Sequence, residues 1–296
     1  MRRLIRWGLA IGLVGFAVFW ELTRPETLPE SAMAGLQGDV ARGELVFYAG
    51  GCASCHAAPN AEGAGRLVLA GGQRFASPFG AFLAPNISPD PVVGIGTWSP
   101  RDLANAMRYG TSPTGTHYYP AFPYTSYAHA SLADIADLHA FIATLPASDV
   151  PSLPHETGFP FSIRRGLGLW KQLFSGKPWV LAGDLSNELS RGRYLVEGLG
   201  HCSECHTPRN PIGGLDRDRW MAGGPTPDGK GKVPNLTPAK MTWSEGDIAY
   251  YLEIGFTPDF DAAGGHMASV VLNTGQLPPA DRAAIAAYLK AIAPVE

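Results

Sequence analysis

Two short stretches decide the fold of this chain of 296 residues: Cys52-Ala53-Ser54-Cys55-His56 and Cys202-Ser203-Glu204-Cys205-His206. They contain all four cysteines of the sequence. Two cysteines separated by two residues and followed at once by a histidine form the pattern at which haem is attached covalently, with the thiols bonded to the porphyrin and the histidine to the iron. The sequence therefore predicts two haem c groups. Their attachment residues are Cys52, Cys55, Cys202 and Cys205, and their proximal iron ligands are His56 and His206.

Zinc binding and thiol redox chemistry explain the two stretches less well. A structural zinc site needs four ligands that converge on one metal ion, whereas the two cysteine pairs lie in different halves of the chain. A redox-active C-x-x-C pair does not need a histidine directly after it. Both alternatives leave the repeated histidine without a role.

The composition predicts a loop-rich, all-α protein. The chain has 36 glycines and 26 prolines, which suit short helices and irregular segments wrapped around a large apolar cofactor and argue against an extensive sheet. Its length allows about two domains of ordinary size. The formal net charge of -3 provides no basic surface for a polyanion, so we expect no nucleic-acid partner.

The N-terminus has the form of an export signal. A basic start precedes an apolar run from Trp7 to Trp20, and polar residues follow that run without a small-residue cleavage site. The stretch Ala32-Met33-Ala34 has the right form for cleavage but lies far downstream. We therefore expect residues 1–30 to be an uncleaved anchor that keeps its arginines in the cytoplasm, with the rest of the chain exported to the periplasmic side. A cleaved signal that leaves a soluble periplasmic protein is the alternative.

The sequence around the two motifs repeats. Three further pairs of segments match in the same order: Ala70-Gly71-Gly72 with Ala222-Gly223-Gly224, Pro85-Asn86-Ile87-Ser88-Pro89 with Pro234-Asn235-Leu236-Thr237-Pro238, and Thr97-Trp98-Ser99 with Thr242-Trp243-Ser244. We therefore expect two copies of one unit, residues 31–146 and 185–296, joined by a linker over residues 147–184. Within the linker, the apolar and basic stretch 159–174 is expected to pack across both units; contact with a partner protein or a membrane surface is the alternative.

The sequence predicts three helices in each unit. The first leads into the haem motif. The second begins after an N-cap serine, Ser99 or Ser244, and ends at a glycine, Gly110 or Gly255. The third closes the unit and has apolar residues at helical spacing. We expect these closing helices over Ser131–Leu145 and Pro279–Ile292.

Three segments resemble the cytochrome c subunits of membrane-bound bacterial alcohol and gluconate dehydrogenases. They are Tyr119-Pro-Ala-Phe-Pro-Tyr124, Gly200-His-Cys-Ser-Glu-Cys-His-Thr-Pro-Arg-Asn210 and Ala287-Tyr288-Leu289. The resemblance implies two tandem class-I-like cytochrome c domains that transfer electrons and catalyse no reaction of their own. It also implies a periplasmic dehydrogenase as electron donor and a cytochrome or terminal oxidase as acceptor, at the periplasmic side of the bacterial inner membrane. Those subunits carry three haems, whereas this chain has two motifs.

The resemblance further implies that a methionine before the last helix is the sixth ligand of each iron. In the second unit Met267 stands at that place. Met221 and Met241 precede the capped helix, which is more typical of packing residues. Methionine ligation would raise the reduction potential, because a thioether favours ferrous iron.

The first unit lacks this methionine. Met267 lies 12 residues after Gly255, and the residue 12 positions after Gly110 is Phe122. A phenylalanine side chain cannot bind iron. The first iron then has no strong sixth ligand from the protein, or takes His129 or His117, which flank the gap.

Two functions are compatible with these features. The first is electron transfer, in which the chain relays electrons from a dehydrogenase to a respiratory acceptor. The second is a dihaem peroxidase-like enzyme that uses an open or weakly ligated first haem. No peroxidase-like motif surrounds Phe122, and the recognisable segments all belong to the electron-transfer group. We therefore expect an electron-transfer protein and no catalytic residues.

Overall fold

A computed structural model describes residues 1–226, 229 and 231–296 of the chain. Helices dominate the regular structure of these residues, as the composition predicts. In chain order they are α1 (Arg2–Leu22), α2 (Val40–Ala49), α3 (Cys52–His56), α4 (Pro100–Tyr109), α5 (Tyr124–Tyr127), α6 (Leu132–Ile142), α7 (Leu167–Phe174), α8 (Asn187–Arg193), α9 (Ser203–His206), α10 (Glu245–Ile254), α11 (Gly265–Thr274) and α12 (Pro279–Ala291). Two small antiparallel hairpins accompany them: β1 (Arg74–Ser77) with β2 (Gly80–Leu83), and β3 (Gly224–Pro225) with β4 (Lys232–Val233).

Helix α1 projects from the rest of the molecule and contacts it at its last turn. It has 21 residues, none of them buried, and a mean hydropathy of 1.5 over its most apolar part. Among the described residues, it is the one helix that is long and apolar enough to cross a membrane. Its arginines all lie in the first two turns. This length suits a single crossing, since the hydrocarbon core of a bilayer takes about 20 apolar residues.

The same order of elements occurs in residues 31–146 and 185–296, which we term the first half and the second half. Each has a helix leading to a one-turn motif helix, then a hairpin, a capped helix, a further helix (α5 or α11) and a closing helix. Ser99 and Ser244 cap α4 and α10 as predicted, because each side chain accepts a hydrogen bond from an aspartate N–H in the first turn. The closing helices α6 and α12 are slightly shorter than the sequence predicted.

In each half, the first helix crosses the closing helix at close range. A side chain added at Gly43 of α2 would overlap the carbonyl oxygen of Asp137 in α6, and one added at Gly192 of α8 would overlap that of Ala284 in α12. An arginine–aspartate ion pair of 2.7 Å accompanies both crossings. Glycine is therefore required at these positions, because only the missing Cβ allows the backbones to approach so closely.

The two halves differ just before the second motif. In the first half, α2 is followed by Gly50, whose N–H donates to the carbonyl oxygen of Val46. In the second half, α8 continues into a π-helical turn, Tyr194–Leu199, and the N–H of Gly200 donates to the carbonyl oxygen of Leu195, one residue further back. The π-helical turn therefore accommodates one extra residue in the second half.

The linker contacts both halves. On the first half, the side chain of Asn86 donates to the carbonyl oxygens of Ser148 and Val150, both at 2.8 Å. On the second half, Glu197 accepts hydrogen bonds from the backbone N–H groups of Val180 and Leu181. The start of the linker is thus bound to the first half, and its end is bound to the second half.

Candidate haem sites

Helix α3 contains Cys52 and Cys55, and helix α9 contains Cys205 and has Cys202 as its N-cap. All four cysteines are free of disulfide bonds. Burial raises the pKa of Cys52 and of Cys202 to about 12. A thiol pair that performs redox chemistry has a lowered pKa, so these environments are of the opposite kind. Among the described residues, no group of three or more histidine, cysteine, aspartate or glutamate side chains could hold a metal ion on its own. The raised pKa values of the thiols argue against thiol redox chemistry.

The motif histidines are oriented by backbone carbonyl groups. Nδ1 of His56 lies 2.9 Å from the carbonyl oxygen of Pro85, and Nδ1 of His206 lies 3.0 Å from that of Pro234. A carbonyl oxygen only accepts, so Nδ1 carries the proton and the lone pair of Nε2 is free for a metal. Burial lowers the pKa of both histidines, which favours the neutral imidazole that binds iron. The residues present therefore fit a haem iron at both sites.

The repeated Pro-Asn segments explain how those carbonyl groups are held. The side chain of Asn86 accepts from the N–H of Ser88 at 2.8 Å and ties the loop to the linker. The side chain of Asn235 accepts from the N–H of Thr237 at 2.8 Å and donates to the carbonyl oxygen of Val295. Sequence analysis found the repeat but missed this role. The signal was present, because the repeat places an Asn directly after the proline in both halves.

Each motif contacts the helix that precedes the closing helix of the other half, which is α11 for the first motif and α5 for the second. In the first motif, the Ser54 hydroxyl accepts a hydrogen bond of 2.8 Å from Asn273 of α11. In the second motif, the Glu204 carboxylate accepts hydrogen bonds from Thr125 at 2.9 Å and Ser126 at 3.2 Å, both of α5. Ser54 and Glu204 occupy the same third position of their motifs. The contacts are therefore reciprocal, and each half contributes to the surroundings of the other motif.

The two motifs are also close to each other. Burial raises the pKa of Cys55 to about 11, and the nearby Cys205 adds to that increase. Tyr127 lies between the halves: its hydroxyl donates to the carbonyl oxygen of Gly50 at 3.0 Å, and its ring meets that of His201 edge-on at 5.5 Å. Burial raises the pKa of Tyr127 well above its usual value, so its hydroxyl stays protonated. This arrangement brings two haem-binding segments to one internal interface.

The candidate sixth-ligand positions have different surroundings. Met267 is partly buried in the first turn of α11. Phe122 packs in an aromatic cluster, edge-on to Tyr118 at 6.0 Å and tilted against Tyr127 at 5.6 Å. Met221 is fully buried in the core, as expected of a packing residue. The phenyl ring of Phe122 therefore packs on the tyrosine that donates a hydrogen bond to Gly50, two residues before the first motif.

The two histidine candidates for the first iron are engaged elsewhere. Nε2 of His117 lies 2.8 Å from the carbonyl oxygen of Thr23, and its Nδ1 lies 3.0 Å from Nζ of Lys171. His129 stacks on Trp179 with ring centroids 3.8 Å apart. It lines a pocket together with Glu197 and other residues of the second half. Burial and nearby arginines lower the pKa of His129 to about 4. Both nitrogens of His117 are taken, and His129 faces the linker and the second half.

Comparison with known proteins is consistent with this geometry. The model of the family described as "Cytochrome c" matches residues 40–146. The chain is 59% identical to a protein named "Diheme cytochrome c-type" from Cereibacter sphaeroides, over the full length of both. It is 36% identical to the fructose dehydrogenase cytochrome subunit of Gluconobacter japonicus, over 86% of this chain and 52% of that protein. It is 35% identical to the gluconate 2-dehydrogenase cytochrome c subunit of Pantoea cypripedii, over 90% of this chain and 63% of that protein.

Proposed function

This chain belongs to the family of dihaem c-type cytochromes, and we propose on that basis that it carries electrons from a periplasmic dehydrogenase to a respiratory acceptor. The chain binds two haem c groups and is an electron-transfer protein rather than an enzyme. Haem iron, when bound, supplies a reversible one-electron couple. The observation that carries the proposal is the pair of complete motifs, each with its histidine oriented by a proline carbonyl group. None of the relatives named above is a peroxidase, so nothing supports that alternative.

In this proposal, residues 31–146 and 185–296 are tandem class-I-like cytochrome c domains. The matching order of their helices and the reciprocal contacts of their motifs support the division. Cys52, Cys55, Cys202 and Cys205 tether the two haems, and His56 and His206 present Nε2 to the irons. Pro85 and Pro234 keep each imidazole in the required tautomer and orientation.

We assign the sixth ligand of the second iron to Met267. On the first iron we assign no strong protein ligand, because Phe122 replaces the methionine and both histidine candidates have other partners. The chain then holds two haems in different environments. Different axial ligands set different potentials, which gives an electron carrier a direction between its two centres.

The donor and the location follow from the relatives and from α1. Several relatives are named as cytochrome subunits of dehydrogenases, so we propose a dehydrogenase as donor and a cytochrome or terminal oxidase as acceptor. The chain spans only about half of the fructose dehydrogenase subunit, at 52% of its length. We further propose that α1 anchors the protein in the inner membrane, with its arginines in the cytoplasm and both motifs in the periplasm.

The experiment uses the full chain, purified from membranes of its native host. A pyridine haemochrome assay should give two haems per chain, and Cys205→Ala should lower that number while Ser54→Ala should not. Host membranes that lack the chain should lose the respiration of at least one dehydrogenase substrate and regain it when the purified chain is added. A two-haem protein whose absence changes no substrate-dependent respiration would contradict the dehydrogenase proposal. A chain with one haem would contradict the assignment of the sites.

A further inference from the structure

The linker exposes an apolar surface that the electron-transfer function does not explain. Phe159 is 83% exposed and Leu173 is 56% exposed. Three more large apolar side chains between them are also exposed: Phe161, Ile163 and Leu169. Leu169 and Leu173 are four residues apart in α7 and so lie on one face of that helix. We term residues 159–174 the linker patch.

The linker patch is attached to the C-terminal end of α1. A side chain added at Gly168 would overlap the backbone of Thr23, which caps α1 and is fully buried. The guanidinium group of Arg165 lies over the ring of Trp20 at 4.0 Å. Its Nε donates to the Thr23 hydroxyl at 2.8 Å, and its Nη2 donates to the carbonyl oxygen of Trp20. The last turn of α1 and the linker patch therefore form one packed unit.

A second set of contacts fixes that unit to the first half. Nζ of Lys171 donates to the carbonyl oxygen of Gly110, at the end of α4, at 2.8 Å. It also approaches His117, whose other ring nitrogen donates to the carbonyl oxygen of Thr23. These three elements, α1, α7 and the end of α4, are thus connected through buried polar groups. The linker patch cannot move away from the exit of α1 without breaking these hydrogen bonds.

We propose that the linker patch lies in the interfacial layer of the membrane that α1 crosses and binds its anionic lipids. The inference rests on the proposed anchor, because α1 holds the patch at the membrane surface. Exposed Phe, Ile and Leu side chains are stabilised at the boundary between head groups and acyl chains. Arg164 and Arg165 supply the positive charge that attracts anionic head groups, and Trp20 stands where aromatic residues are enriched in membrane helices.

The interfacial contact would orient the whole molecule. A single transmembrane helix leaves an attached domain free to tilt, whereas a second contact beside it restricts that motion. Because Gly110 and His117 belong to the first half, the first half would be held next to the bilayer. Trp170 of α7 also donates to the carbonyl oxygen of Ile212 in the second half at 2.8 Å, so the orientation of both halves relative to the bilayer would be set.

The test measures membrane depth in the full chain. Leu173→Cys and Phe159→Cys provide single reactive thiols, since the four native cysteines are bonded to haem, and each variant is labelled with a nitroxide. The labelled chains are reconstituted in vesicles of phosphatidylcholine and phosphatidylglycerol. Electron paramagnetic resonance then compares relaxation by oxygen, which enters lipid, with relaxation by a water-soluble nickel complex. We expect several-fold lower nickel accessibility at both positions than at Phe260→Cys, which is 89% exposed in the second half.

Further labelled variants separate the anchor, the linker patch and a protein partner. A nitroxide at Leu13→Cys, within α1, reports on the anchor separately. Full access of the nickel complex to residue 13 would contradict the proposed anchor. Protection of residue 13 from nickel together with full nickel access at residue 173 would overturn only the proposal for the linker patch. Protection at residue 173 in native membranes but not in vesicles of purified lipid would indicate a protein partner and also overturns the proposal. Leu169→Glu, introduced together with Phe159→Cys, should restore nickel access at residue 159. Val92→Glu, at an exposed site outside the patch, should not.

Discussion

The crossing of the first and closing helices is built from different side chains in the two halves. In the first half, Phe47 is fully buried, and its ring lies 5.2 Å from that of Phe141. In the second half, Tyr288 takes the place of Phe141, and its hydroxyl donates to Glu197 at 2.8 Å. Trp220 donates to the same hydroxyl at 3.0 Å. One half is held by an aromatic contact, the other by a buried polar network.

The polar network of the second half also binds the linker. Glu197 also accepts from the N–H of Val180 at 2.6 Å and that of Leu181 at 3.0 Å, so its carboxylate has three hydrogen-bond donors. Burying a carboxylate is costly unless its oxygens are paired, and here they are. The π-helical turn adds one residue where Glu197 stands. The second unit therefore keeps the same helix crossing, and its one extra residue allows Glu197 to bind the end of the linker.

The largest contrast between the halves should be in iron ligation. Met267→Ala removes the proposed sulfur ligand, so the weak near-infrared absorption that marks methionine bound to ferric haem should disappear. One of the two midpoint potentials should fall while the other stays, as measured by a spectroelectrochemical titration. Met221→Leu, a buried control outside the ligand loop, should retain the band. A wild-type protein with two equivalent histidine–methionine haems would show that Phe122 and Met267 are not equivalent positions.

Removing the aromatic contact of the first half should have the largest effect on stability. Phe47→Ala should lower the free energy of unfolding by about 3 to 5 kcal/mol, because a large cavity replaces a fully buried ring. Guanidinium unfolding followed by far-ultraviolet circular dichroism measures the change. Phe260→Ala is the matched control: its ring is exposed, so the change should be within about 0.5 kcal/mol. Equal effects of the two substitutions would show that Phe47 does not support the crossing.

Removing the carboxylate of the second half should have a smaller effect. Glu197→Ala leaves the N–H groups of Val180 and Leu181 without their acceptor, which should cost roughly 2 to 3 kcal/mol of unfolding free energy. Proteolysis should also become faster within the linker, since its attachment is lost. Glu188→Ala, at an exposed site on α8, is the control and should leave the linker protected. Unchanged proteolysis in Glu197→Ala would mean that other contacts hold the linker.

The smallest effect should come from making the second half resemble the first. Tyr288→Phe removes one hydroxyl from the network and leaves the N–H of Trp220 without its acceptor, while Glu197 keeps its two backbone donors, so the cost should be about 1 kcal/mol. The same unfolding assay measures this loss. Phe141→Tyr, the reverse change in the first half, adds a hydroxyl to a ring that packs against Phe47 and should destabilise the protein as well. A stabilising Phe141→Tyr would mean that a polar partner is available in the first half after all.

The sequence was sufficient for features that are local or repeated. The motifs, the apolar N-terminal helix and the serine caps of α4 and α10 follow from neighbouring residues, and the structure contains the helices and caps. The extra residue of the π-helical turn was not foreseen, because a helix with one insertion has the same apolar pattern as its neighbour. The surroundings of His117 and His129 were also not foreseen. Both depend on linker residues, Lys171 and Trp179, that are distant in sequence.

The reciprocal contacts of the motifs have a consequence for how such a protein can be divided. Cutting the chain within residues 147–184 would leave Ser54 without Asn273, and Glu204 without Thr125 and Ser126. Each fragment would expose to water a motif surface that the intact molecule covers with the other fragment. The smallest unit in which each motif keeps its native surroundings is therefore the two halves together. A single haem site is better studied by removing the opposite motif in the whole chain than by truncation. Recombination between homologues should succeed more often when both halves are exchanged together.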